Sequence, residues 1–298
     1  MSINLKIDLI DLADTGQPVK HAELLMLQLA GQVPQLLPTP VEDLARACGI
    51  TEFNEFTVAG FEGGLIQNSE KTAGIIMVKA GARNDRRRFT IAHELGHFVN
   101  PYHLAPGGEA QLLCTSKHLQ VSGSQSDRRL GIEAQANEFA ANLLMPERQL
   151  RAVAKLWGSP EIQSILNLQT LCFVSKEAAA RRFLDLHGDP CAVVFSRDGQ
   201  VRYSIARGGF PAIELREGHP VHSKTLTATY SGQPGAISDQ DECDPFLWLD
   251  SQIAREWEMW EEVLIQQDGF RMTLLVAERS SHEEDEELSD RWTPRFRK

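Results

Sequence analysis

The chain has no run of 18 apolar residues, no paired-cysteine motif, no internal repeat and no surplus of positive charge. The first absence leaves nothing to span a bilayer as a helix. The opening stretch MSINLKIDLIDLADTG carries early acids and no long apolar core, so it does not read as a secretory leader, and a cytoplasmic protein without membrane partners is expected. The five cysteines, Cys48, Cys114, Cys172, Cys191 and Cys243, are odd in number and widely spaced. That argues against a disulfide framework and against a zinc site built from four thiolates. With a net charge of −11, the chain as a whole exerts no general attraction on nucleic acid. The acidity is uneven. Residues 188–298 hold 12 Lys and Arg against 21 Asp and Glu, whereas residues 1–187 hold 18 against 20, which suggests two parts with different surfaces.

What is present is enough for a core. The 298 residues are 42% hydrophobic and 24% charged, which fits one large domain or two ordinary ones. Residues 20–50 read as two helices separated by a proline-containing break, with Thr39 and Pro40 as cap and first turn of the second. GGLIQNSEKTAGIIMVKA reads as a hairpin, with an edge strand that could receive an extended peptide. Asn84 or Asp85 is expected to cap the next helix, and Asn100-Pro101 to end it. RRLGIEAQANEFAANLLMP is a further helix, and SILNLQTLCFVSKEAAARRFLDLHG supplies two more, the last capped by Ser175. After His187-Gly188 the pattern changes to extended apolar runs joined by Asp-Gly, a hairpin signal, so a boundary is expected near 187.

The chemistry centres on RRRFTIAHELGHFVNP. His93 and His97 are four apart, so both project from one helix face and can share an ion at about 2.0–2.1 Å each. Glu94 sits about 100° round the helix, beside a metal-bound water rather than on the metal, which is the HExxH arrangement with a glutamate base. Given 9 His and 25 Glu, chance alone produces one such match in roughly 2% of chains of this composition, so the surroundings must carry part of the weight. The plain alternative is a helix with two surface histidines. Against it, Phe89, Ala92, Phe98 and Val99 give the helix apolar faces, and Gly96 inside a helix costs about 1 kcal/mol against alanine, so it needs a reason such as close packing.

A catalytic zinc needs a third protein ligand and one open position. Glu133 is the leading candidate, with Asn137 one turn further on the same face to accept the spare N–H of a zinc-bound histidine. Glu138, on another face, is the competitor. His103, His118 and Tyr102 are candidates to stabilise an oxyanion. Cys114 lies between His97 and Glu133 and is a candidate inhibitory fourth ligand, the bland alternative being a small buried residue.

RFTxAHExGH followed by ExxxNxFAxxLLMP resembles the ImmA/IrrE-type zinc metallopeptidases over roughly residues 20–187. The resemblance implies His93, His97 and Glu133 as ligands of one Zn²⁺ per chain and Glu94 as general base. It implies a gluzincin-like fold and, as substrate, a helix-turn-helix repressor whose single cut releases stress, DNA-damage or phage-defence genes. Single-stranded DNA as an activator follows from the same analogy. The expected fold class is α+β: a mostly helical zincin-like domain with a small sheet over 1–187, an antiparallel α+β sensor-like domain over 188–280, and a flexible charged tail over 281–298. Two other readings compete: a non-catalytic zinc-stabilised sensor acting by partner binding, and a nucleic-acid-binding regulator using the clusters Arg86–Arg88, Arg128-Arg129 and Arg181-Arg182.

Overall fold

The computed structural model describes residues 4–103, 111–115 and 128–280, with backbone alone at 111–115 and 128–129. The tail expected over 281–298 lies outside these residues. The chain divides into two compact units, one of residues 1–153 with 167–179 and one of 154–166 with 180–298. The boundaries of this division lie at 153/154, 166/167 and 179/180 rather than at a single point near 187.

In the first unit, α1 (Ile10–Ala13) leads to α2 (Pro18–Ala30). Ala22, Leu25, Met26 and Leu29 recur at helical spacing and are buried on one face of α2, which packs on α5. Next comes α3 (Val41–Cys48), stopped by Gly49 at φ +117°, whose N–H reaches the carbonyls of Ala45 and Arg46. Thr39 does not cap α3 as expected: its hydroxyl donates to the Leu143 carbonyl at 2.9 Å, and Pro40 takes the cap position.

The sheet runs β1-β3-β2-β4, from β1 (Ile50–Phe56), β2 (Phe61–Gln67), β3 (Gly74–Lys79) and β4 (Gln111–Thr115). The expected hairpin is β2 and β3, paired antiparallel. β1 was not expected as a strand. It pairs in parallel with β3, and its largely exposed side chains give little hydrophobic alternation to read. Its presence on one flank and β4 on the other makes both hairpin strands interior, so the hairpin offers no free edge; the sheet ends at β1 and β4.

Two long helices complete this unit. α4 (Asn84–Val99) packs on β2 and β3 and against α5 (Arg128–Leu144). The cap of α4 falls on Arg83 rather than on Asn84 or Asp85, while Asp85 sits in the first turn and pairs with Arg83. Asn100 ends α4, as expected. Gly96 has its reason in this packing: a Cβ there would lie 2.8 Å from the ring of Phe139 on α5. Ile91, Leu95, Phe98, Phe139 and Leu143 form the core between the helices and the sheet. Beyond α5 lie α6 (Glu147–Ala154), α7 (Ile162–Cys172) and α8 (Lys176–His187), the last capped by Ser175, whose hydroxyl accepts from the Ala178 N–H.

The second unit holds an antiparallel sheet ordered β6-β5-β9-β8-β7, built from β5 (Cys191–Arg197), β6 (Gln200–Arg207), β7 (Asp241–Cys243), β8 (Trp257–Ile265) and β9 (Phe270–Arg279). The Asp-Gly turns fall where expected: Asp198-Gly199 joins β5 to β6 and Asp268-Gly269 joins β8 to β9, each with both residues at positive φ. One face of the sheet closes on a core centred on Trp248, with Val194, Met259 and Leu275. The short α9 (Leu226–Thr229) is tied down by the buried Glu261 carboxylate, which accepts from the N–H groups of Leu226 and Thr227. No helix among the described residues is long and apolar enough to cross a membrane.

Candidate metal centre

Helical spacing places His93 and His97 on the buried side of α4, and Glu133 and Asn137 on the side of α5 that faces it. The Nε2 atoms of His93 and His97 are 3.1 Å apart. Glu133 Oε2 is 3.2 Å from the first and 3.6 Å from the second. Among the described residues, these three side chains form the one group of His, Cys, Asp and Glu whose ligand atoms converge as a metal needs. A tetrahedral ion with bonds of about 2.0–2.1 Å sets its ligand atoms roughly 3.3 Å apart, which is the spacing found.

The proton positions argue the same way. His93 Nδ1–H donates to Asn137 Oδ1 at 2.8 Å, which leaves His93 Nε2 as a bare lone pair. Burial pulls His97 down to about 4, so it is neutral at pH 7. Glu133 is buried, so its carboxylate needs a positive partner to stay ionised. A carboxylate oxygen and imidazole lone pairs gathered out of water repel one another unless a cation lies between them. The donor set therefore fits a divalent ion that accepts nitrogen and oxygen ligands.

Glu94 is fully buried on α4. β2 crosses above it at Gly63, where a Cβ would come within 2.9 Å of Glu94 Oε1 and 2.3 Å of Thr90 Cγ2. Glycine inside a strand often marks such a close approach, so Gly63-Gly64 was the legible signal for a site residue that the sequence reading passed over. Glu138, the competitor of Glu133, is exposed and outside the group. The backbone of Cys114 stands on β4 opposite Gly63. Its side chain lies outside the described residues, and His118 lies outside them altogether.

His103 does not stand where an oxyanion donor is wanted. It is buried behind His97, with its Nδ1 3.1 Å from His97 Nδ1, on the side away from Glu133, and its Nε2 2.8 Å from Gln135 Oε1. Burial pushes it down to about 3. The sequence signal was there: His103 follows His97 by six residues, the spacing of the third histidine in HExxHxxGxxH, with Asn100 in the glycine place. Tyr102 is exposed, and its N–H donates to Asn100 Oδ1.

Lys71, in the β2–β3 turn, was also missed. Its ammonium donates to the carbonyls of His97, Asn100 and His103 at 2.9, 2.6 and 2.9 Å, closing the turn that folds His103 back on α4. Burial lowers it to about 8, which leaves it charged at neutral pH against the carbonyl end of the helix. The cluster Arg86–Arg88 has partners within the chain: Arg86 pairs with Glu62, Arg87 with Glu42 and Glu55, and Arg88 donates to the Thr39 carbonyl.

Residues 56–184 match the model of the peptidase M78 family, described as the IrrE N-terminal-like domain. The matched segment is similar to that domain, and it contains both helices of the candidate metal centre and most of the first sheet. A solved structure described as a Mycobacterium tuberculosis transcriptional regulator is similar to the chain with a TM-score of 0.51 at 14% identity, covering 87% of this chain and 75% of that one. At that identity the likeness is one of fold, and it extends beyond the matched segment into the second unit. No curated protein matches the chain in sequence.

Proposed function

We propose that the chain is a zinc-dependent endopeptidase of narrow specificity that cuts a helix-turn-helix repressor and thereby releases stress, DNA-damage or phage-defence genes. The observation that carries the reading is the convergence of His93, His97 and Glu133 beside a buried Glu94 on the HExxH helix. The family match supports a peptidase, and the nitrogen and oxygen donors suit zinc.

His93, His97 and Glu133 would hold the zinc, which would supply an acidified water and a Lewis acid for the scissile carbonyl. Glu94 accepts the proton of the attacking water and returns it to the leaving amine. Its burial keeps bulk water from competing for that proton. Asn137 holds His93 in the metal-binding tautomer. With β2 and β3 interior, an extended substrate adds to the sheet at β4, whose partner β2 passes over Glu94. The second unit is the sensor-like part that regulates cleavage, with single-stranded DNA as the activator to test first.

The test is co-expression of the full chain with a candidate repressor, with and without single-stranded DNA, comparing wild type with Glu94→Gln and measuring zinc in both. Zinc in both forms with cleavage only by the wild type is the expected result. Equal cleavage by the two forms overturns the enzymatic reading. Zinc in neither overturns the metal assignment.

A further inference from the structure

His97 and His103 share one hydrogen bond between two like atoms, Nδ1 and Nδ1, 3.1 Å apart. Only one proton can lie between them, and which ring owns it is decided at the far side of His103. There, Nε2 is 2.8 Å from Gln135 Oε1. An amide oxygen only accepts, so His103 Nε2 carries a proton. A neutral imidazole has one N–H, so His103 Nδ1 is then an acceptor and the shared proton sits on His97 Nδ1. His97 Nε2 is left as a lone pair, aimed at His93 Nε2 and Glu133 Oε2. Among the described residues the competing contact is Asn100 Nδ2, 3.2 Å from His103 Nε2. It is longer than the Gln135 contact, and Asn100 Nδ2 has another acceptor in the Gly16 carbonyl.

From this geometry we infer that His103 is a positioning residue: with Gln135 it fixes His97 in the tautomer that presents Nε2 to a metal, as Asn137 does for His93. The inference rests on the metal reading of the site and not on peptidase activity. It makes α5 the element that prepares both histidines, since Glu133, Gln135 and Asn137 all belong to it. It also separates His103 from the role its spacing suggests, that of a third metal-binding imidazole.

Zinc affinity of the full chain, measured by competition with a chromophoric chelator, tests this when combined with thermal melts of the metal-free protein. His103→Phe keeps a ring and removes the acceptor; it should weaken zinc binding about 10–100-fold. His103→Asn returns an acceptor oxygen near the Nδ1 position and should restore affinity to within about threefold of wild type. Gln135 is otherwise exposed, so Gln135→Leu removes the anchor without opening the core, and it should weaken binding by about tenfold. Nitrogen-15 spectra of the zinc-bound wild type should show the proton on Nδ1 of His97 and on Nε2 of His103. Wild-type affinity in a folded His103→Phe, or a His103 proton found on Nδ1, overturns the inference. Equal loss in His103→Asn and His103→Phe would make His103 a ligand instead. No zinc binding by the wild type would remove the metal reading beneath it, a result distinct from the other three.

Discussion

Gly63→Ala is a one-carbon test of how the metal helix meets the sheet. The added methyl would stand 2.3 Å from Thr90 Cγ2, 2.9 Å from Glu94 Oε1 and 3.5 Å from the Met77 carbonyl. The first two distances are far inside ordinary contact, so either α4 retreats from β2 or the Thr90 and Glu94 side chains leave their positions. Overpacking of this kind costs about 1–3 kcal/mol. The restriction of the unfolded chain by alanine offsets about 0.4–1 kcal/mol of that. A net loss of about 1–2 kcal/mol corresponds to a fall in melting temperature of roughly 2–8 °C for a unit of this size. The functional effect should be larger than the structural one. His93, His97 and Glu133 lie outside the three nearest contacts, so zinc should stay bound, whereas displacement of the base should lower kcat by tenfold or more. Adding Thr90→Ser to Gly63→Ala removes the nearest atom, and should recover most of the melting temperature and part of kcat. Melting curves, zinc content and kcat on a cleavable repressor decide the matter. A Gly63→Ala protein with wild-type melting temperature and kcat would show that β2 and α4 do not meet as described.

Glu133→Ala should abolish tight zinc binding while Glu138→Ala leaves it intact, read by metal analysis after dialysis; zinc retained in the first and lost in the second would exchange their roles. Lys71→Met removes three charge-assisted hydrogen bonds at the end of α4 and should cost about 2 kcal/mol or more, with Lys71→Arg recovering part of it in thermal melts. In the second unit, burial raises Glu262 to about 7, with its Oε2 accepting from the Ile162 N–H. A carboxyl whose folded pKa is raised stays protonated while the unfolded chain ionises, so this group's contribution falls as pH rises from about 4.5 to about 7 and is level above that. Glu262→Gln should therefore raise the melting temperature of that unit at pH 8 and leave it unchanged at pH 4; a gain of equal size at both would assign the effect to packing. Cys114→Ala, on the strand position opposite Gly63, should raise basal cleavage with zinc unchanged, and X-ray absorption of the resting wild type should show one sulfur ligand.

The metal helix and Glu133 with Asn137 were legible because a 3.6-residue period is local: spacing alone puts these side chains on shared faces. The Asp-Gly hairpins were legible because the turn chemistry is carried by two adjacent residues at positive φ. What escaped is long-range. Thr39 has the composition of a cap, but a carbonyl 104 positions away takes its hydroxyl. β1 is exposed along much of its length, and only its parallel pairing with β3 makes it a strand. Gly63, Lys71 and Gln135 gain their roles from helices and turns brought to them by the fold, which no window of sequence around them contains.

His97 and Glu133 are 36 residues apart in the chain, yet their ligand atoms are 3.6 Å apart across two helices. An ion held by both would act as a cross-link that can be withdrawn. Closing a loop of that length lowers the entropy of the unfolded chain by an amount worth about 4 kcal/mol on the scale used for disulfides. In a reducing compartment, where a thiol bridge would not persist, coordination can fasten the two helices and release them again. With an ion held there, the persistence of the fold would be tied to metal supply, and a chain deprived of it would expose these helices to proteases.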